Sequence, residues 1–212
     1  MLAPERRLAL RDWARETGGT IFEDDYDAEL CYDREPVGAL QGLAPDAVIY
    51  CGSATKALAA GVRMGWLLCP PGWIEEIVEE KVAEDRGTPV LEQLTLATLL
   101  ATGRYDRHLR RVWGRYRTRR DTLAQVLGEV APHVTLTGIA AGIQAVANLP
   151  VGVDEREVVA LAAERDVGLC GMSTYRSDHK TKPPALALGY GQLSESAIVL
   201  GINRIADLLT PQ

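Results

Sequence analysis

Apolar positions at Leu8, Leu10, Trp13 and Ala14 recur at roughly helical spacing. Pro4 stands where a first-turn proline is tolerated and Gly18-Gly19 supplies a stop, so the pattern predicts a helix at the start of the chain. Short β-prone runs follow at 20–24, 47–51 and 64–69, the first ending in acidic residues and the last closed by Pro70-Pro71. These read as three buried-type strands, mostly parallel, in an α/β arrangement. Helical stretches are predicted over 73–84, 90–102 and 105–130. From residue 134 the texture changes to short strands at 134–137, 143–149, 167–169 and 185–188, interleaved with helices over 154–165 and 194–209. Asp154 and Ser194 suit the N-caps of those two helices. The second half therefore reads as a small α+β domain, and the boundary is placed inside helical sequence, giving domains 1–103 and 104–212. No internal repeat or low-complexity tract is visible.

Composition narrows the function classes. With 212 residues and 47% apolar content the chain can bury a substantial core, which argues against disorder. A formal charge of -6 and a pI near 5.2 leave no basic field to hold nucleic acid or an anionic membrane through this segment. The eight arginines between Arg104 and Arg120 spread around their helix rather than forming a stripe, which favours a solvated or salt-bridged helix. Cys31, Cys51, Cys69 and Cys170 form no C-x-x-C pair, so neither a zinc ribbon nor a disulfide framework is indicated, and a reducing cytosol is the simplest compartment. Glu5, Arg6 and Arg7 fall where a signal peptide would need its apolar stretch and no run approaches 18 apolar residues, so a soluble, cytoplasmic protein is expected. His108, His133 and His179 show neither ligand spacing nor a triad context, and His108 is assigned a structural role. Trp66 and Trp73 are expected in the core.

Three features carry chemistry: Glu23-Asp24-Asp25-Tyr26-Asp27 at the end of one strand, Ser53-Ala54-Thr55-Lys56 after the next, and Gly61-Val62-Arg63-Met64-Gly65 leading into the third. The acidic run lacks the spaced ligands and central glycine of a calcium loop, so no metal is expected there. Together the three features supply the groups a pyridoxal 5'-phosphate (PLP) site needs. Lys56 is the amine for a Schiff base, Asp24 the anion that keeps the pyridine nitrogen protonated, and Tyr26 a phenol for the ring oxygen. Ser53 and Arg63 offer the phosphate a hydroxyl and a planar fork of donors. Asp24 and Tyr26, two apart on extended chain, project to one side, which favours Asp24 over Asp25 as the ring contact.

The run from Ile21 to Leu30, with Tyr32-Asp33, Pro36-Val37-Gly38-Ala39-Leu40-Gln41-Gly42, Gly52 to Leu58, Gly61 to Trp66, His108-Leu109-Arg110-Arg111 and Leu188-Gly189-Tyr190, resembles the aminotransferase-like domain of MocR-type regulators of the GntR superfamily. That resemblance covers essentially the whole chain. It implies a fold-type I PLP-dependent transferase fold, comprising the C-terminal half of the large α/β domain plus a small α+β domain. It assigns Lys56, Asp24, Tyr26, Ser53 and Arg63 the roles given above.

In the family a winged helix, a linker and the first half of the PLP domain precede the point that corresponds to residue 1, so only part of a pocket is expected from this chain. Aminotransferases of this fold carry a substrate-carboxylate arginine in the stretch that here reads Ala185-Leu186-Ala187-Leu188-Gly189-Tyr190, where none occurs; Arg176 is the nearby candidate to replace it. Three readings follow. One is the PLP-binding domain of a MocR-like regulator that senses an amino acid or other amine, as a homodimer. Another is an aminotransferase exchanging an amino group between an amino acid and a 2-oxo acid. The last is a cofactor-free dimerisation fragment.

Overall fold

The computed structural model describes residues 2–30, 38–137, 142–176 and 183–210. The motif residues Tyr32, Asp33, Pro36 and Val37, together with Cys31 and His179, lie outside the described residues. Two compact units are formed, Met1–Val112 and Trp113–Gln212.

In the first unit, helix α1 (Pro4–Thr17) begins at its proline and ends where Gly18 turns left-handed at φ 68°. Strands β1 (Ile21–Asp25), β2 (Val48–Ser53) and β3 (Gly65–Leu68) make one sheet in the order β1-β2-β3. The β1–β2 pair is parallel, running in register from Ile21 opposite Val48 to Asp25 opposite Gly52. The β2–β3 pair is antiparallel, against the mostly parallel expectation. Its connection, residues 54–64, contains only the 3₁₀ turn Ala60–Val62 and is too short for the crossover helix that parallel neighbours require. Leu40, Ala44 and Val48 form the local core, with Leu10 of α1 and Ile21 of β1 packed against them.

The expectation of three buried strands holds only at β2, since β1 buries no residue and the four residues of β3 are all exposed. Trp66 and Trp73 are likewise 39% and 42% exposed rather than in the core. Trp66 has a nearer role, because its indole occupies the space where a side chain at residue 52 would stand, so Gly52 and Trp66 fit as a pair. At Gly65 an added Cβ would stand 2.8 Å from the Gly52 carbonyl oxygen, a backbone atom that cannot move aside. Gly65→Ala is therefore expected to destabilise the first unit by about 1–3 kcal/mol. Gly61→Ala, with nothing within 4 Å of the new Cβ, is the control that should leave the urea midpoint unchanged.

Helices α2 (Ile74–Asp85) and α3 (Val90–Ala101) bury no residue, and α4 (Arg104–Val130) follows. On α4, Tyr105, Leu109 and Val112 are buried at intervals of four and three, one helical face. The division between units falls within this helix.

The second unit is an α+β fold. Strands β4 (Thr135–Thr137), β5 (Gln144–Asn148), β6 (Cys170–Gly171) and β7 (Ala185–Gly189) form an antiparallel sheet in the order β4-β5-β7-β6. Helices α5 (Glu155–Glu164) and α6 (Glu195–Ile205) begin as expected at Asp154 and Ser194, whose side chains accept backbone N–H bonds from their first turns. Leu127, Ala162, Leu186, Tyr190, Ile202 and Ile205 are central to the core. The strand expected at 167–169 is displaced to Cys170–Gly171. The Val167 N–H is taken by the Ala162 carbonyl in closing α5, after Asp166 has turned left-handed at φ 58°. Val167 and Leu169 still pack against the core, so their apolar pattern reported burial and not pairing. No described helix is long and apolar enough to cross a membrane.

Candidate functional site

The sheet register sorts the acidic run at the end of β1. Residues directly opposite in paired strands share a face, and successive residues alternate. Asp24 lies opposite Cys51, which lies opposite Leu67; Asp25 lies opposite Gly52 and Trp66. Glu23 accepts the backbone N–H groups of Leu40 and Gln41 at 2.7 and 3.0 Å and so caps a 3₁₀ turn. Asp25 accepts the Tyr50 hydroxyl at 3.1 Å. Burial, then the charge of Asp25 and its hydrogen bond, push the Tyr50 phenol up to about 12. Glu23 and Asp25 are thus committed to structure on one face, while Asp24 stands on the other. There the Cys51 thiol is pushed up by burial first and by the Asp24 charge next. Tyr26 follows in a bend, exposed, its phenol raised by the charge of Asp27, by burial and by Asp24.

Lys56 sits on a tightly tied loop at the end of β2. The Met64 carbonyl accepts the Ala54 N–H at 3.0 Å and the Ser53 hydroxyl at 3.4 Å. The Thr55 N–H donates to Ser53 Oγ at 3.2 Å, and the Leu58 N–H to the Ala54 carbonyl at 2.9 Å. These bonds join the lysine turn to the segment that carries Arg63. Arg63 itself is held at φ 45°, ψ 38°, a left-handed conformation that costs a non-glycine residue about 1–2 kcal/mol.

Tyr26, Ser53, Lys56 and Arg63 line one open cleft of about 310 Å³, together with Thr55, Met64 and Gly65. That volume suits a small ligand. Asp24 is not among the residues lining the cleft, although it shares its sheet face with Cys51. Arg176 belongs to the second unit, where its Nη1 donates to the Pro183 carbonyl at 2.9 Å and its charge acts on Glu155. Sequence reasoning missed Thr55, Met64 and Gly65 as lining residues, although all three lie inside the motifs it singled out.

Two residues of α4 reach the loops beside the cleft. His108 Nε2 donates to the Ala57 carbonyl at 2.8 Å, which fits the structural role expected of it. The Tyr105 hydroxyl donates to Glu29, whose carboxyl is raised by burial, opposed by that bond and reinforced by Asp25. Nothing in the sequence pointed to the Tyr105 contact, which spans 76 positions.

An amine, hydroxyls and a guanidinium around one cleft can capture an aldehyde that carries an anionic tail. No model of a known protein family matches the chain. Among solved structures, kynurenine aminotransferase of Pyrococcus horikoshii, described in complex with PMP, superposes with a TM-score of 0.88 at 27% identity, over 99% of this chain and 52% of that one. The fold is that of the fold-type I PLP-dependent transferases. Curated relatives fall in two groups. YhdI, an uncharacterized HTH-type transcriptional regulator of Bacillus subtilis, is 32% identical over 97% of this chain and 44% of its own length. The probable rhizopine catabolism regulatory protein MocR of Rhizobium meliloti is 28% identical over 97% of this chain and 42% of its length. Aromatic-amino-acid aminotransferase 1 of Thermococcus litoralis is 28% identical over 97% and 49%. The chain spans less than half the length of these relatives, and it is a partial aminotransferase-like segment homologous to MocR-type regulators and aminotransferases alike.

Proposed function

We propose that the chain is the PLP-binding, aminotransferase-like part of a cytoplasmic MocR-like regulator that senses an amino compound as a homodimer. The observation that carries this reading is the cleft, where Tyr26, Ser53, Lys56 and Arg63 meet. In it Lys56 is the amine that bonds the cofactor, Ser53 and Arg63 hold the phosphate, and Tyr26 orients the ring oxygen. Asp24 is the anion for the ring nitrogen; its support is its position at the end of β1 on the Cys51 face. Arg176, with its planar fork, is the group for a substrate carboxylate. When bound, the cofactor supplies an electron sink. The regulator reading is favoured by the 32% identity to an HTH-type regulator.

A second reading, an aminotransferase, is supported by the aminotransferase relative and by the structural likeness to kynurenine aminotransferase. Lys56 would then also move the proton at the substrate carbon.

Mixing the chain with PLP is expected to give a visible absorbance band that borohydride removes, leaving a mass increment on the Lys56 peptide. Lys56→Ala should lose both completely. No increment on Lys56 in the wild-type chain would remove the cofactor assignment. Cycling with an amino acid and a 2-oxo acid separates the two readings, since sustained turnover supports the enzyme and binding without turnover the sensor.

A further inference from the structure

Tyr105 and His108 stand three positions apart on α4, so they project from one helical face. Each makes a long-range hydrogen bond to a residue close in sequence to one that lines the cleft. Tyr105, 5% exposed, reaches Glu29, three residues beyond Tyr26. His108 reaches the carbonyl of Ala57, the residue after Lys56. A carbonyl can only accept, so the imidazole carries its proton on Nε2. The peptide plane between Ala57 and Leu58 is consequently held at both ends, its C=O by His108 and its N–H by the Ala54 carbonyl at 2.9 Å. Ala54 and Ala57 are buried while Lys56 is exposed, so the plane fixed in this way anchors the turn that presents the lysine.

We propose that His108 is a positioning residue for Lys56, and that Tyr105, one turn earlier, holds the Tyr26 side of the same cleft, so that the start of α4 sets the separation of amine and phenol. This deepens the cofactor reading and rests on it for its consequence, though the geometry stands apart from it.

The test uses the full 212-residue chain as wild type, His108→Ala, His108→Gln and Tyr105→Phe. Amide hydrogen exchange at Leu58 reads the peptide plane directly. Borohydride trapping of PLP on Lys56, relative to the exposed Lys81, reads presentation of the amine. His108→Ala is expected to speed Leu58 exchange about 10-fold, the scale of one net hydrogen bond. It should also lower the Lys56-to-Lys81 trapping ratio several-fold, with amides of β1 and β2 unchanged. His108→Gln, which keeps an N–H donor, should recover part of both effects. Tyr105→Phe should lower the trapping ratio without moving Leu58 exchange. Unaltered Leu58 exchange in His108→Ala would overturn the proposal, as would an equal rise at the strand amides, the mark of a merely structural role. Should wild-type Lys56 trap no better than Lys81, the cofactor reading fails while Leu58 exchange still decides the positioning role.

Discussion

Replacing Glu155 with alanine is expected to weaken the second unit by about 2–4 kcal/mol at neutral pH. Glu155 is the first residue of α5 and is only 7% exposed, the one buried charged side chain among the described residues. One carboxylate oxygen accepts the Ser173 N–H at 2.8 Å and the other the Ala185 N–H at 2.9 Å, so the side chain stitches α5 to β7 and to the turn after β6. Gly171 leaves the room for it, since a Cβ there would overlap the carboxylate. Truncation strands two backbone donors, and an unpaired buried donor costs far more than a hydrogen bond contributes.

The same residue gives the unit a pH dependence. Burial alone would raise its pKa, but the Ser173 side chain, the N–H groups of Ala185 and Ser173 and the Arg176 charge outweigh burial and lower it below 4.5. A carboxylate with a depressed folded-state pKa stabilises above the unfolded value, and that contribution is lost as pH falls through the folded one. The gap in urea midpoint between wild type and Glu155→Gln should therefore be widest at neutral pH and shrink below pH 4.5. Equal midpoints for wild type and Glu155→Ala at pH 7 would show that the carboxylate contributes nothing.

Arg63→Gly should separate stability from binding. Glycine adopts φ 45° without strain, so the substitution is expected to stabilise the first unit by up to about 1 kcal/mol. Loss of the guanidinium should at the same time weaken PLP binding about 10- to 100-fold, the scale of a charge-assisted hydrogen bond. Arg63→Lys keeps the charge and loses the fork, so its affinity should fall between the two. Calorimetric unfolding and PLP titration on the three proteins check this. An affinity unchanged in Arg63→Gly would mean that the phosphate is held by other groups.

How much of this was legible in the sequence depended on the range of the interaction. Strands β1 and β2, helices α2 to α6 and the N-caps at Asp154 and Ser194 follow from local pattern, as do Ser53, Lys56 and Arg63 among the residues that line the cleft. The direction of β3 was misread because a run such as Gly65-Trp66-Leu67-Leu68 does not encode its partner's orientation; the length of the preceding connection does. Strand β6 was misplaced because apolar alternation at Val167 and Leu169 marks packing, whereas pairing was decided by which N–H groups α5 left open. The Tyr105–Glu29 and His108–Ala57 bonds lay beyond any periodic signal, since they join residues 76 and 51 positions apart. Alternation alone puts Asp24 and Asp25 on opposite faces of β1, and the register has them so.

Helices α2 and α3 carry Val78, Val82, Leu91 and Leu94 on the outside and bury nothing. The folding of this unit is consequently indifferent to which side chains stand there, beyond their preference for helix. Their oily character is thus nothing that the packing of the described unit requires.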